Sequence, residues 1–397
     1  MINRLFELSE RAISLADTNF VRPYIASLLL EDRLIGIKGS RGVGKTTLLL
    51  QYAKLYLNDH KRLYISLDNP YLADLKLHDL ADDFVKNGGK VLLLDEVHHY
   101  PNWSLALKFL YDNYKDLKVI YTGSSLLHLS KGQSDLSRRT NLHLLPGLSL
   151  REFINLTETK DFRVLSLEQI MSDHASIASA MLSSIKPIQK YNEYLQIGFY
   201  PFFIENKAAY PLKLLEIINQ ILEVDLPLMV QINYSNVRKI KLLLSIIAQS
   251  VPFKPNFEKL SAQIGVSKNT LKDFIQYLDD ALLINTLRSG RKTDAALTKP
   301  DKIYLGNTNF MYSLVGSNIN TGTLRETFFM NQVQVKHHLH YPEVGDFMVD
   351  SKFLFEIGGK GKSFKQIADV ANSFIAADDI EIGYKNTIPL WLFGFLY

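Results

Sequence analysis

Apolar residues come in two spacings along this chain. Between residues 33 and 145 lie short continuous runs: Leu34-Ile35-Gly36-Ile37, Leu63-Tyr64-Ile65, Val91-Leu92-Leu93-Leu94 and Val119-Ile120-Tyr121. Runs of this length suit strands buried on both faces. Segments of helical spacing separate them, and that alternation predicts a parallel sheet covered on both sides. Strands are expected at Arg33–Lys38, Arg62–Leu67, Val91–Leu94, Lys118–Tyr121 and Asn141–Leu145. Helices are expected over Tyr71–Lys86, stopped by Asn87-Gly88-Gly89, and over Trp103–Tyr114. Residues 1–30 read as a helical arm, broken at Arg22-Pro23.

Beyond residue 160 the spacing turns helical. Residues 165–228 carry apolar positions three and four apart, interrupted at Gly198-Phe199-Tyr200-Pro201. From Val237 to Leu287 three short amphipathic helices are expected, the third opening at Ser267 as N-cap. Ala281–Ile284 and the basic Arg288–Lys292 then read as a hairpin. This layout resembles a winged helix-turn-helix, with Lys268, Asn269 and Lys272 opening the third helix and Arg291 and Lys292 on the wing. A module used for protein packing or oligomer contacts reads the same way. The last hundred residues predict a helix over Leu324–Val335, two strands at Val344–Asp350 and Lys352–Ile357, and a final buried strand at Pro389–Phe395. The expected domains are 1–160 (alternating α/β), 161–230 (helical), 231–300 (winged helix) and 301–397 (α+β).

Composition narrows the classes. A chain of 397 residues exceeds one hydrophobic core. With 47% hydrophobic and 22% charged residues it is a folded protein, not a disordered one. The absence of cysteine excludes disulfides and thiolate-bound zinc. A net charge of +4 permits nucleic-acid contact without arguing for it. No signal peptide or bilayer-length apolar run is evident, so a cytoplasmic protein with no membrane partner is expected.

The chemistry concentrates at strand ends. After the first strand comes Gly39-Ser40-Arg41-Gly42-Val43-Gly44-Lys45-Thr46, then Thr47 and an apolar helix. That is G-x-x-x-x-G-K-[ST], a phosphate-binding loop. Glycines let backbone N–H groups face phosphate oxygens, and the helix N-terminus adds partial positive charge. Gly39, Arg41, Gly42, Val43, Gly44, Lys45, Thr46 and Thr47 are the expected nucleotide contacts. Lys45 is placed to reach the β- and γ-phosphates and Thr46 to ligate Mg²⁺. Asp95 and Glu96 end the third strand. Taken alone the pair reads equally as the start of a surface turn. Two strands after a phosphate loop, Asp95 is the expected Mg²⁺ acid and Glu96 the general base. Thr122, Ser124 and Ser125 end the next strand, where a hydroxyl can meet the γ-phosphate or the attacking water.

These three clusters resemble the AAA+ ATPases, in which successive strands carry the phosphate loop, an Asp-Glu pair and a polar sensor. More narrowly, Leu-Leu-Asp-Glu-Val-His-His-Tyr-Pro-Asn-Trp, Tyr-Thr-Gly-Ser-Ser and Leu-Pro-Gly-Leu-Ser-Leu-Arg-Glu-Phe look like a group of prokaryotic AAA+ proteins. Its members carry a C-terminal extension resembling a restriction-type nuclease. The resemblance implies an α/β P-loop sheet with a helical lid, with ATP and Mg²⁺ as cofactors. It also implies an arginine that senses the γ-phosphate, often from a neighbouring subunit of a homo-oligomer. Arg138 and Arg139 are the first candidates, with Arg41 and Arg151 behind them. Ser124 stands for the sensor. A nuclease of the PD-(D/E)XK kind requires an Asp and a Glu-x-Lys on adjacent strands. Asp346 and Glu356 match, but Gly358 occupies the lysine position, with Lys360 two residues on. His337-His338-Leu339-His340 shows no evident carboxylate partner. The expected function is an ATPase acting on a nucleic-acid or protein partner. The rivals are a slow signalling switch and an ATP-gated nuclease.

Overall fold

The computed structural model describes residues 2–29, 32–57, 61–69, 76–129, 136, 138–250, 253–290, 299–316 and 318–397. Two units gather the chain. One comprises Met1–Pro146 with Asp225–Gln231; the other comprises Gly147–Val224 with Ile232–Tyr397.

The first unit is built on a five-stranded sheet: β1 (Leu34–Gly39), β2 (Arg62–Ser66), β3 (Val91–Asp95), β4 (Lys118–Ser124) and β5 (Asn141–Leu144). The order is β2-β3-β4-β1-β5, and every pairing is parallel. Leu92, Leu93 and Leu94 are all fully buried, as a strand covered on both faces requires. Burying each stabilises the fold by about 2 kcal/mol relative to exposure. The unit also holds the helices α1 (Ile2–Leu15), α2 (Lys45–Tyr56), α3 (Leu77–Lys86) and α4 (Trp103–Asn113), and the short helix Leu226–Val230. Helix α1 packs against β2 and α2, and the segment after Arg22 is a 3₁₀ turn, Pro23–Leu29. Part of the helix expected from Tyr71 lies outside the described residues; what is described begins at Leu77.

Strand β4 is longer than expected and runs through Thr122-Gly123-Ser124. Its register sets Leu94 beside Tyr121, and Ser66 stands beside Asp95 across the β2–β3 pair. The polar ends of β1, β3 and β4 thus line up along the carboxyl edge of the sheet, where ligands of such sheets bind.

The second unit holds helices Leu150–Glu158, Leu167–Leu182, Pro187–Ile197 and Tyr210–Gln220. Capping boxes open the first two: Ser149 with Glu152, and Ser166 with Gln169. Three more helices follow, Tyr234–Gln249, Phe257–Ile264 and Lys268–Asp280, the last capped by Ser267. Strand β6 (Ile284–Leu287) pairs antiparallel with β7 (Lys302–Leu305). The return strand is therefore Lys302–Leu305 and not the basic Arg288–Lys292. The apolar run Ile303-Tyr304-Leu305 gives β6 a buried partner that a charged run does not. Arg291 and Lys292 lie outside the described residues.

After the helix Thr308–Val315 this unit also holds a mixed sheet of order β12-β11-β10-β9-β8, made of β8 (Leu339–His340), β9 (Phe347–Val349), β10 (Phe353–Gly359), β11 (Ser373–Asp378) and β12 (Thr387–Pro389). The β9–β10 hairpin is antiparallel, β11 runs parallel to β10, and β12 runs parallel to β11. The helix Thr321–Val333 packs on β10. The segment expected as a final strand is a 3₁₀ turn, Leu390–Phe395, with all six residues buried. A short run that is apolar on every side satisfies a buried turn as well as a strand, so spacing cannot separate the two.

Candidate functional site

The loop between β1 and α2 is shaped by backbone that only glycine adopts without strain. Gly42 has φ 85° and Gly44 φ 93°. Val43 is 1% exposed, so the loop is anchored by a buried side chain. Arg22, buried, donates to the carbonyls of Val43 (3.4 Å) and Pro146 (2.8 Å). Lys45 is buried with its Nζ 3.2 Å from the carbonyls of both Gly39 and Ser40. Thr46 and the exposed Thr47 sit in the first turn of α2.

Asp95, the last residue of β3, is 2% exposed. Its Oδ2 accepts from Thr46 Oγ1 (2.7 Å) and from the Tyr64 hydroxyl (3.0 Å). Its Oδ1 accepts from Thr122 Oγ1. Burial pushes its carboxyl above the usual carboxylate range, while the Thr122, Thr46 and Tyr64 hydroxyls pull the other way. Glu96 takes the left-handed region at φ 53°. Its amide donates to Thr122 Oγ1 at 3.0 Å, and its Oε1 lies 3.8 Å from Lys45 Nζ. One threonine hydroxyl therefore orients both acids. A hydroxyl and a carboxylate at this separation form the hard oxygen pair that Mg²⁺ favours, and the left-handed glycines leave the cradle open to phosphate.

The remaining candidates are placed as follows. Ser124 accepts from the amide of Leu126 at 3.3 Å, and it is Thr122 that reaches Asp95. Arg41 extends to the buried Asp225 at 3.4 Å. Burial holds the Asp225 carboxyl up, against the pull of Arg41. Arg139 makes a two-point contact with Asp112 at 2.9 and 3.1 Å, and Arg138 is exposed. Arg151 is buried in the second unit, donating to the carbonyls of Tyr397 (2.8 Å) and Phe162 (3.1 Å). Its role there is a clamp within that unit.

Tyr64, Arg22 and Asp225 join the site without standing out in the sequence. Tyr64 carries a weak signal, a hydroxyl in an otherwise apolar strand. Asp225 carries none, lying 184 residues from Arg41. His98 follows Glu96 in a 3₁₀ turn and is buried. Burial, His99 and the charges of Lys45 and Arg41 hold its pKa down to about 3.

In the second unit Asp346 Oδ2 accepts from the Ile357 amide at 2.9 Å. Lys302 stands 3.4 Å from Asp346 and 3.2 Å from Glu326. Burial alone would lower the Lys302 pKa, but Glu326 and Asp346 outweigh it and raise it. Glu356 is buried and paired with Lys362, while Lys360 faces Asp379 at 3.6 Å. The lysine that reaches Glu356 is thus Lys362, not Lys360, because the tight turn after β10 brings residue 362 back over the strand. His337 does have a carboxylate partner, Asp350, at 2.7 Å. A cleft of about 680 Å³ opens where Lys268, Asn269 and Lys272 begin the third helix; Lys254, Asn256 and Lys299 also line it.

Comparison with known proteins places these features. Residues 31–154 match a family model described as an AAA domain, and residues 188–321 match a domain of unknown function (DUF8612). An uncharacterized protein of Methanocaldococcus jannaschii is 29% identical over 302 residues, 69% of this chain. The match spans 60% of that relative's length. Solved structures with partial likeness include a DNA replication initiation factor (TM-score 0.27, 15% identity, 70% of this chain and 88% of that one). AMPPCP-bound DnaA from Aquifex aeolicus has TM-score 0.24 at 16% identity, with the same coverage of 70% and 88%. PCH-2 of C. elegans has TM-score 0.26 at 15% identity, over 40% of this chain and 44% of that one. No helix among the described residues is long and apolar enough to cross a membrane. The phosphate loop, the Asp-Glu pair and the parallel sheet all fall inside residues 31–154, the part of the chain that matches an AAA domain.

Proposed function

We propose that this protein binds ATP with Mg²⁺ at the carboxyl edge of the first sheet and hydrolyses it, using the cycle to act on a nucleic-acid partner. The observation that supports this most is the meeting of Thr46, Asp95, Thr122, Glu96 and Lys45 within hydrogen-bond or ion-pair reach of one another. Gly39, Arg41, Gly42, Val43 and Gly44 shape the cradle, and the N-terminus of α2 with Thr47 completes it. Thr46 and Asp95 would hold Mg²⁺. The ion supplies charge that neutralises the phosphate oxygens. Lys45 moves from the Gly39 and Ser40 carbonyls to phosphate. Glu96, with its carboxylate 3.8 Å from Lys45, accepts the proton of the attacking water. Ser124 or Thr122 serves as the polar sensor. In a homo-oligomer the exposed Arg138 is the arginine that would reach a neighbour's nucleotide; Arg139 is held by Asp112.

The cleft at Lys268 carries four lysines against one acid, Glu258, which pairs with Lys268 at 2.6 Å; that surplus of positive charge favours a nucleic acid over a protein partner, since phosphate contacts dominate such binding. Steady-state ATP hydrolysis measured with and without duplex DNA tests the reading. Turnover that rises with DNA supports it. Nucleotide retained with very slow turnover supports the signalling switch instead. A second reading, Mg²⁺-dependent cleavage at the C-terminal sheet, is favoured only by Lys362 standing on Glu356. Loss of cleavage in Glu356→Ala would be its signature.

A further inference from the structure

The turn that follows Asp95 brings together three groups that the hydrolytic reading does not combine. One ligand atom each from Glu96, His98 and His99 lies within 4.8 Å of the others. The two imidazole rings are 4.3 Å apart, centroid to centroid. His98 Nε2 stands 3.4 Å from Glu96 Oε2. Zinc holds nitrogen and oxygen ligands at about 2.0–2.2 Å in a tetrahedron, which sets ligand atoms roughly 3.3–3.6 Å apart. One edge of that tetrahedron is already present.

A second observation is independent of spacing. The His98 side chain is 1% exposed, and neither ring nitrogen makes a hydrogen bond among the described residues. A buried imidazole without such bonds carries a desolvation cost, and native interiors seldom leave one so. It faces a carboxylate at a separation that a bridging cation satisfies. His99 is half-buried, which leaves a solvent side for a fourth ligand. Two imidazoles and a carboxylate with an open position suit Zn²⁺ or Co²⁺ better than Mg²⁺, which prefers oxygen ligands.

We propose that Glu96, His98 and His99 form a binding site for a Zn²⁺-class transition metal, and that its occupancy takes Glu96 out of water activation. The second half rests on the hydrolytic reading above; the first does not. The ion competes with Lys45, now 3.8 Å from Glu96, for the same carboxylate. The site is distinct from the oxygen pair of Thr46 and Asp95, so an inhibitory ion and the nucleotide's own Mg²⁺ would bind side by side.

The test is a titration of the full chain, stripped of metal and free of nucleotide, with Zn²⁺ by calorimetry and with Co²⁺ by visible absorption. The expected result is one equivalent bound, tetrahedral Co²⁺ bands, and affinity at least tenfold weaker in His99→Gln. His98→Gln should show the same loss; because His98 is buried, His99→Gln keeps the test valid if that variant fails to fold. No stoichiometric binding, or equal affinity in His99→Gln, overturns the site. A second arm follows ATP hydrolysis with free Zn²⁺ set by a metal buffer, each protein scored against its own zinc-free rate. Inhibition in the unaltered chain that is at least tenfold less sensitive to Zn²⁺ in His99→Gln is expected; equal sensitivity overturns the regulatory half. A chain that hydrolyses no ATP would defeat the hydrolytic reading and the regulatory half with it, while the zinc titration still decides the site.

Discussion

Thr46 Oγ1 and Asp95 Oδ2 stand 2.7 Å apart although 49 residues separate them. The contact closes because β1 and β3 end at the same edge of one parallel sheet, with β4 between them. It gives the Mg²⁺ reading a donor pair, and it makes each neighbouring side chain testable.

Lys45 is the buried cation of the cradle. Replacing it with Ala should weaken ATP binding about 10- to 100-fold, the loss of one charge-assisted hydrogen bond of about 1.5–3 kcal/mol. Calorimetry that shows unaltered affinity would remove the loop from the nucleotide site.

Glu96→Gln keeps the shape of the side chain but not its basicity. ATP affinity should stay within a few-fold while turnover drops by about 10²–10⁴. An unchanged kcat would take Glu96 out of the chemistry.

Thr122 donates to Asp95 and accepts from the Glu96 amide. Thr122→Val leaves both unmatched at nearly constant volume. The unfolding free energy should fall by about 1–3 kcal/mol in urea melts, and hydrolysis should slow. Ser124→Ala, which among the described residues removes a local contact to Leu126, should cost less stability; the reverse ranking would make Ser124 the more important hydroxyl.

Asp225 has its carboxyl raised by burial, with Arg41 opposing. A carboxyl raised on folding binds its proton more tightly in the native state, so it favours folding at low pH. That contribution fades as pH rises from the ordinary value through the raised one. Asp225→Asn should therefore be at least as stable as the unaltered chain at neutral pH. Its advantage should shrink as pH falls from the raised value to the ordinary carboxylate pKa, and change no further below it. Thermal melts in which the advantage grows on acidification would contradict the burial argument.

Lys268 and Lys272 line the cleft of the three-helix segment. The double change to Ala should weaken DNA binding and reduce the slope of log affinity against log salt by about 1 for each phosphate no longer neutralised. A slope that stays constant would move DNA away from this helix.

The first sheet is legible in the sequence because its strands are buried on both faces and read as continuous apolar runs. The phosphate loop is legible because its glycines obey a local spacing. Pairings made across the sheet are not. Tyr64 reaches Asp95 only through the β2–β3 pairing, and Asp225 reaches Arg41 only after a long excursion of the chain. The return strand Lys302–Leu305 falls within the expected last domain because the pairing of β6 leaves no trace in local composition. Leu390–Phe395 reads as a strand because uniform burial erases periodicity. Lys362 escapes the expected motif because that motif fixes a spacing which this turn does not respect.

Asp225–Gln231 belongs with the sheet unit, yet seventy-eight residues of the other unit, Gly147–Val224, intervene before it. No single cut can then release that unit whole. A polypeptide truncated after Pro146 would fold, if at all, with Arg41 deprived of its carboxylate, and nucleotide affinities measured on such a fragment would describe a different loop.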